Sequence, residues 1–321
     1  MVHYSSGFAW RLLDKTAKNK HKTVMARRIP SRLVFSDPSY PLACMRVADH
    51  GKTGLHGHDF DELVVILAGH GQHVLEGVEY PIAAGDVFVI RGDMRHGYTR
   101  TDHVTLVNIL YDPRRLGLPL DDLRDLPGYH ALFRVQPRLR PRERFQSRFR
   151  LPEENLAEAA GLVFRLEQEL QRKGPGYRFM ASAHLMALIG YLSRCYSHAT
   201  GPTERPLLQM GEVLSFIDQH FREPITVRQL ARIARMSDST LMRAFRRVLG
   251  RSPVAHVIRV RVLRAAELLQ RGDVRVTEAA FACGFGDSNY FSRQFRKIVG
   301  VSPRAFRARH RPAPARSRPP R

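Results

Sequence analysis

The sequence predicts an α+β protein with an N-terminal β-barrel of the jelly-roll type, a helical connector and an all-α C-terminal domain. Between 39 and 112, short apolar runs alternate with Gly, Asp and His, which predicts many short strands. After Pro152, apolar residues recur at spacings of three and four, which predicts helices. The stretch from Ile225 to Pro303 repeats itself at an offset of 49 to 50 residues, which predicts a duplicated helix-turn-helix.

Length and composition fit a folded protein of two or three domains, with 321 residues of which 43% are hydrophobic. Three widely spaced cysteines, Cys44, Cys195 and Cys283, predict neither a disulfide framework nor a cysteine zinc site. The sequence contains no apolar run long enough to span a bilayer, and its start lacks the apolar stretch of a signal peptide. We therefore expect a cytoplasmic protein without a membrane partner.

The net charge of +22 is concentrated near the C-terminus. Residues 204–321 carry 24 Lys and Arg against 9 Asp and Glu, a net charge of +15, whereas residues 39–112 carry −5. A domain this basic attracts the phosphate backbone of DNA, because each neutralised phosphate releases condensed counterions. An arginine-rich surface that serves only solubility is the alternative.

The patterns divide the chain into five segments. The basic start predicts a poorly ordered or loosely docked arm, and the Pro- and Arg-rich end predicts a disordered tail. In order, the segments are the arm (1–38), the barrel (39–112), a connector with a helical dimerisation region (113–203), a double helix-turn-helix domain (204–308) and the tail (309–321).

Within the barrel segment, polar residues cluster near the ends of predicted strands. The strands are predicted over four apolar runs, Leu63–Ala68, His73–Leu75, Val87–Ile90 and Val104–Leu110. His56 and His58 lie two residues apart, so their side chains share one face of a strand, and Glu62 at the same parity can join them. His96 follows later, after Gly85-Asp86.

Three imidazoles and a carboxylate suit a divalent transition metal. The same groups could instead hydrogen-bond a polyhydroxylated ligand without a metal, or form a polar core. The pattern G-x4-H-x-H-x3-E-x6-G, followed by GDVFVIRGDMRH, resembles the two cupin motifs, although the second departs from them at Arg91, Gly92 and Asp93. The predicted effector site, which would also be the metal site if a metal binds, consists of His56, His58, Glu62 and His96.

An apolar seam follows in the connector. Its members, spaced three and four apart, are Leu156, Ala159, Val163, Leu166 and Leu170. We predict a homodimer through this seam, because dimeric DNA-binding proteins mirror repeated half-sites. Burial against the barrel or against the next helix, Tyr177–Tyr196, is the alternative.

The duplicated unit predicts two recognition helices, one in each copy. Ser237 and Ser252 are placed to cap helices, and Gly250 to end one. The second helix of each pair should lie in the major groove, so its outward residues near the N-terminus are candidates for base contacts. These are Ser239, Thr240 and Arg243 with Arg246 in the first copy, and Asp287, Asn289, Tyr290 and Arg293 with Arg296 in the second. Each could instead contact phosphate or nothing.

The run TEAAFACGFGDSNYFSRQFRKIVGVSPRAFR, from Thr277 to Arg307, closely resembles the signature of AraC/XylS-type transcription regulators. That resemblance implies two helix-turn-helix motifs joined by a long helix and inserted into successive major grooves. By position, it makes Ser239, Arg243, Asp287, Asn289 and Arg293 the base-contacting residues. HGHDFDELVVILAGHGQHVL and GDVFVIRGDMRHGY look like the sugar-sensing, cupin-like domain of the rhamnose-responsive activators within that family.

The sequence therefore predicts a DNA-binding transcription regulator that binds promoter DNA and is controlled by a small molecule, a sugar such as rhamnose, in the barrel. Activation through RNA polymerase is what the resemblance implies, with repression as the alternative. No cofactor is required in this interpretation, and the protein is not an enzyme. The rivals are a metal-dependent cupin dioxygenase or isomerase fused to a DNA-binding domain, and a constitutive nucleoid-type DNA binder.

Overall fold

A computed structural model describes residues 27–139, 149–199, 201, 204–271 and 274–310. Strands form the N-terminal part and helices the rest, so the predicted α+β class is confirmed. The remainder of the predicted arm (1–26) and of the tail (311–321) lies outside the described residues. None of the helices within the described ranges is both long and apolar enough to cross a membrane.

A largely antiparallel sheet forms the N-terminal domain. Its strands are β1 (Arg27–Ile29), β2 (Leu42–Val47), β3 (Thr53–His58), β4 (Asp61–Leu75), β5 (Val78–Ala83), β6 (Asp86–Ile90), β7 (His96–Tyr111) and β8 (Phe149–Arg150). They lie in the order β1-β3-β7-β4-β6-β8, with β2 added to β7 and β5 to β4. Two short strands, β1 and β8, thus come from outside the predicted barrel segment 39–112.

The predicted strands Leu63–Ala68 and His73–Leu75 are parts of one strand, β4, because the glycines between them form bulges instead of turns. Gly69 has φ +75°, and a Cβ there would lie 2.3 Å from the His103 carbonyl oxygen. The register between β4 and β7 shifts repeatedly along this stretch. Glycine is needed here because the two backbones approach too closely for a side chain.

The interior of the sheet is packed with apolar side chains from four strands. The buried cluster consists of Val64, Ile66, Leu75, Tyr80, Ile82, Phe88, Ile90, Tyr98, Val104 and Leu106. Burial of each large apolar side chain contributes about 1.5 to 3 kcal/mol. Before the bulges the even-numbered residues of β4, Val64 and Ile66, face this interior, and after them the odd-numbered Leu75 does. The bulges therefore change which alternate residues of β4 point inward.

Two helices, α1 (Glu153–Arg172) and α2 (Tyr177–Ser197), follow the sheet and pack against each other. The predicted seam lies on the inner face of α1. Its central members, Ala159, Val163 and Leu166, are completely buried within one chain. Its outer members, Leu156 and Leu170, are partly buried. This burial within one chain favours the alternative, packing against the protein's own helices, over a homodimer through this seam.

The chain divides into two compact units, Met1–Gly211 and Glu212–Arg321. The boundary falls inside helix α3 (Arg205–His220). The helices that follow are α4 (Val227–Ile233), α5 (Asp238–Leu249), α6 (Pro253–Gln270), α7 (Val276–Ala282), α8 (Ser288–Val299) and α9 (Pro303–His310). The pairs α4–α5 and α7–α8 are the two predicted helix-turn-helix motifs, and the long α6 joins them.

The ends of these helices follow the predicted capping pattern. The Ser237 and Ser252 hydroxyls accept hydrogen bonds from the backbone amides three residues later. Gly250 ends α5 with φ +69°, as expected for a left-handed C-cap. Because α9 continues to His310, the prediction of disorder from 309 onward is wrong for Arg309 and His310.

The turns within the two helix pairs differ at one equivalent position. In the second copy, Gly284 has φ +82°, and a Cβ there would lie 2.5 Å from the Arg222 carbonyl oxygen. In the first copy, the equivalent Arg235 is exposed and has φ +53°. The second turn therefore has no room for a side chain, whereas the first accommodates one at the cost of backbone strain.

We expect Gly284→Ala to lower the free energy of unfolding by about 2 kcal/mol or more, because the added methyl group meets backbone in a strained conformation. The matched change Arg235→Gly should raise it by about 0.5 to 1 kcal/mol. Denaturant unfolding of the full chain measures both values. An unchanged unfolding midpoint for Gly284→Ala would contradict this account of the turn.

Candidate functional site

Three of the four predicted effector-site residues converge inside the sheet. His58 lies at the end of β3, Glu62 near the start of β4 and His96 at the start of β7, and each is at most 3% exposed. The Glu62 Oε2 atom lies 3.0 Å from His58 Nε2 and 3.3 Å from His96 Nε2. One ligand atom from each residue lies within 4.8 Å of the others, which is close enough to share one metal ion.

His56 lies beside this trio without joining its set of ligand atoms. Its ring centroid is 4.3 Å from that of His96. Burial, with a smaller contribution from His96, lowers the pKa of His56 to about 4, so the ring is neutral at pH 7. Glu62 joins the histidines from a separate strand after the turn at Asp59-Phe60, and not by sharing the parity of β3 as predicted.

Backbone carbonyls orient all three imidazoles. The Nδ1 atoms of His56, His58 and His96 lie 3.0, 2.7 and 3.2 Å from the carbonyl oxygens of Gly54, Phe60 and Met94, respectively. A carbonyl oxygen only accepts, so each Nδ1 carries a proton, and in a neutral ring Nε2 presents a lone pair. Histidines that bind metals are oriented in this way by their far nitrogen.

The Glu62 carboxylate completes a site for a positive charge. Burial raises the pKa of Glu62, but the hydrogen bonds with His58 and His96 have the larger, opposite effect. Together they hold this pKa well below its usual range. An ionised oxygen and the Nε2 lone pair of a neutral His58 ring are both acceptors and cannot bond to each other. A proton or a metal cation must therefore lie between them, and the donor set of two imidazoles and a carboxylate fits a divalent transition metal.

Sequence reasoning missed three further polar residues of the same interior. His50, His73 and Tyr98 are almost completely buried. The ring centroids of His73 and Tyr98 are 5.0 Å apart, those of His50 and Tyr98 are 4.6 Å apart, and His73 lies 5.9 Å from His96. His73 has the opposite parity to Glu62 on β4, so it faces inward only because of the bulges between them. The signal available in the sequence was a histidine, His73, at the start of the apolar run His73–Leu75.

The predicted base-contacting residues form matching outward faces on α5 and α8. The inward residues Leu241 and Phe245, and Phe291 and Phe295 in the second copy, are completely buried. The candidates lie at the surface, and all but the half-buried Thr240 are exposed. They are Ser239, Thr240, Arg243 and Arg246 on α5, and Asn289, Tyr290, Arg293 and Arg296 on α8. Residues 239, 243 and 246 follow the spacing of one helix face, as do 289, 293 and 296.

Asp287 has a different place from the other candidates. It is the N-cap of α8, and its carboxylate accepts a hydrogen bond from the Tyr290 backbone amide. Its equivalent in the first copy is Ser237, which caps α5 in the same way. The carboxylate is thus already used within the chain, which accounts for an acidic residue at this position without any base contact.

In both copies a neighbour three residues earlier holds the central arginine of the face. The Arg243 guanidinium donates to the Thr240 hydroxyl at 3.2 Å. The Arg293 guanidinium lies over the Tyr290 ring, 6.0 Å from its centroid. Such contacts reduce the conformational freedom of a long side chain before it meets a partner. The two arginines are therefore presented alike by different chemistry.

Comparisons with known proteins agree with both parts of this architecture. Residues 46–189 match the AraC-like ligand binding domain, and residues 230–309 match a helix-turn-helix domain. The chain is 32% identical over 255 residues to the HTH-type transcriptional activator RhaS of Escherichia fergusonii, which covers 78% of this chain and 86% of that protein. It is 31% identical over 254 residues to the HTH-type transcriptional activator RhaR of Escherichia coli K12, with the same coverage.

Among solved structures, the DNA-binding domain of AdpA, in complex with a target DNA, is 37% identical over 32% of this chain and 92% of that chain, with a TM-score of 0.31. The family assignment depends on the sequence matches along most of the chain. They confirm the predicted resemblance and the cupin-like character of the N-terminal domain. The protein belongs to the AraC family of transcriptional regulators, with an AraC-like ligand-binding domain followed by a double helix-turn-helix.

Proposed function

We propose that this protein activates transcription from specific promoters when a sugar-type effector binds inside its N-terminal sheet. The observation that carries the proposal is the pair of recognition helices, α5 and α8, which keep one buried frame and expose different polar side chains. Two copies of one reading surface with unequal residues fit an asymmetric DNA site. The relatives RhaS and RhaR are both transcriptional activators, which supports activation over repression.

The DNA contacts follow from the exposed faces. Arg243 and Arg293, held by their neighbours, are suited to bidentate bonds with guanine, and Asn289 to bidentate bonds with adenine. Ser239 and Tyr290 lie beside them at the N-terminal ends of the helices. Arg246 and Arg296 lie one turn further along and are suited to phosphate. The net charge of +15 over 204–321 supplies attraction that does not depend on base sequence.

The effector site centres on His58, Glu62 and His96, with His56 beside them. These residues would hold a divalent cation, which would supply a Lewis acid for the binding of ligand hydroxyl groups. His50, His73 and Tyr98 extend the polar surface along which a polyhydroxylated ligand could form hydrogen bonds. A small-molecule effector, with or without the cation, is what an AraC-like ligand-binding domain supports.

We infer that the site serves regulation and not catalysis, since the relatives that span most of the chain are transcriptional regulators. The working environment is then the cytoplasm, and RNA polymerase is the partner in activation. We also propose a homodimer, in which the buried seam of α1 takes no part. Exposed aromatic side chains on the helical pair support it, with Phe164 53% and Phe179 76% exposed.

Selection of bound sequences from random DNA tests the proposal. We expect the parent protein to select a defined asymmetric site, and Arg243→Ala and Asn289→Ala each to relax the preference at one part of it, by about 1 to 3 kcal/mol of discrimination. Arg228→Ala on α4 is the control, because this exposed arginine is outside both recognition helices. Unchanged base preference in both variants would refute the base contacts, and no preference in the parent would refute the function.

A further inference from the structure

The loop after β6 links the effector site to a helical segment of the connector. It contains Arg91, Gly92 and Asp93, the residues at which the sequence departs from the cupin pattern. The Asp93 amide donates to the His58 carbonyl oxygen at 2.6 Å, and the Gly92 amide lies 3.4 Å from an Asp61 carboxylate oxygen. The loop therefore contacts both ends of the turn that carries His58 and leads to Glu62.

Arg91 extends from this loop in the opposite direction. Its guanidinium donates to the Phe133 carbonyl oxygen at 2.9 Å. Arg91 directly follows Ile90, which pairs with Glu62 where β6 lies beside β4. One side chain thus lies between the start of β4 and a residue 42 positions later in the chain.

Phe133 belongs to an unusual segment. Residues 127–139 are helical, and their middle part, His130–Val135, is a π-helix. A π-helix is rare, occurs mostly as a single turn within an α-helix, and is frequently found at functional sites. An arginine bond to one of its carbonyl groups is therefore suited to stabilise this form of the segment over an α-helical one.

The segment is also packed closely against two later helices. A Cβ on Gly128 would lie 2.0 Å from the Ser193 carbonyl oxygen of α2. A Cβ on Gly211 of α3 would lie 2.3 Å from the Pro127 carbonyl oxygen. Backbones in such contact move together, because packed interfaces switch between arrangements and do not deform continuously.

We propose that Arg91 is a positioning residue that transmits the state of the His58–Glu62–His96 site to segment 127–139 and so to α3. This inference rests on the proposed function, because it supplies the coupling between effector and DNA binding that such a regulator needs. A change at the site shifts the turn from His58 to Glu62. The loop follows through its two amide bonds, and Arg91 passes the shift to the Phe133 carbonyl group.

A double-mutant cycle on the full chain tests this coupling without knowledge of the effector. Glu62→Gln changes the site, Arg91→Met removes the link, and amide hydrogen exchange of residues 127–139 is the readout. We expect Glu62→Gln to change exchange in this segment by about threefold or more when Arg91 is present, and to have no such effect in the Arg91→Met background. Equal effects in both backgrounds, or none in either, would overturn the proposal.

Two further variants separate transmission from simple structural support. Arg95→Gln is the control, since Arg95 lies in the same loop region but pairs with Glu76 at the surface, and it should leave the effect of Glu62→Gln intact. Arg91→Lys keeps a charged donor and should restore part of the effect. If Arg91→Met does not fold, Arg91→Leu, which also lacks a donor, replaces it in the cycle.

A functional arm uses rhamnose as the probe and measures DNA affinity with and without it. We expect the ratio of the two affinities to approach one in Arg91→Met, while rhamnose affinity without DNA changes much less than this ratio. A parent protein that does not respond to rhamnose would count against that effector, whereas the exchange cycle would still decide the role of Arg91. A normal ratio in Arg91→Met would overturn the proposal.

Discussion

Glu62→Gln is expected to abolish divalent-cation binding at the barrel site while the protein remains folded. In the parent protein, the carboxylate lies 3.0 and 3.3 Å from two imidazole nitrogens whose rings already donate through Nδ1. The amide nitrogen of Gln has two protons and can donate to both Nε2 lone pairs. The variant therefore meets the hydrogen-bonding needs of the site without any cation, and it removes the negative charge that attracts one.

The size of this effect follows from what the cation would lose. Removing one anionic ligand from a site with two imidazoles should weaken divalent binding by about 100-fold or more, at least as much as the loss of a single supporting group around a metal. The apparent stability gained from a bound cation scales with its concentration relative to its dissociation constant. Added Mn²⁺, Ni²⁺ or Zn²⁺ should thus raise the melting temperature of the parent protein but not that of Glu62→Gln.

Metal content of the purified protein and thermal unfolding with each cation provide the measurement. Glu79→Gln is the matched control, because Glu79 is an acidic residue of the same sheet that pairs with Arg100 at the surface. It should behave as the parent protein does. Cation binding of equal strength in the parent and Glu62→Gln would exclude this site, and no binding in the parent would favour a ligand pocket without metal.

Much of the fold could be predicted because its signals are local. The offset between Phe245 and Phe295 marks two copies of one helical frame, and both residues are completely buried as that frame requires. Ser237 and Ser252 cap their helices through contacts within a single turn. Such features depend on a few consecutive residues, so they can be predicted from the local sequence pattern alone.

The failed and missed predictions depend on long-range geometry. His73 faces the effector site because bulges paired with distant β7 reverse the parity of β4, and alternation alone cannot reveal a bulge. The apolar face of α1 has the same pattern whether it packs on α2 or on a second chain. The sequence marks Arg91 only as a departure from the cupin motif, because its partner Phe133 lies 42 residues away.

A second large effect is expected on acid stability, through His130. This ring is completely buried, and its Nε2 atom lies 2.7 Å from the Arg124 carbonyl oxygen, so Nε2 carries the proton. Its Nδ1 atom accepts a hydrogen bond from the Arg134 guanidinium at 3.0 Å. Burial, together with the charge of Arg134, lowers the pKa of His130 to about 3. Protonation would break the second bond and place two cations in contact.

The direction of the pH effect follows from this lowered pKa. In the unfolded chain His130 titrates near its ordinary value of about 6.5, so the unfolded state takes up a proton first as the pH falls. The stabilisation is complete above about pH 6.5 and decreases by about 1.4 kcal/mol per pH unit down to the folded pKa. Because His130 begins the π-helical stretch that Arg91 contacts, acid should loosen that segment early.

Denaturant unfolding between pH 7.5 and about 4 measures this contribution in the parent protein and in His130→Gln. The variant keeps an amide donor for the Arg124 carbonyl group but cannot be protonated, so its stability should fall less steeply below pH 6.5 even if it starts lower. His70→Gln is the control, because His70 is exposed and pairs weakly with Asp102 at 3.6 Å. If His130→Gln and the parent lose stability at the same rate, His130 does not remain neutral in the folded state, and the two hydrogen bonds assigned to its ring are wrong.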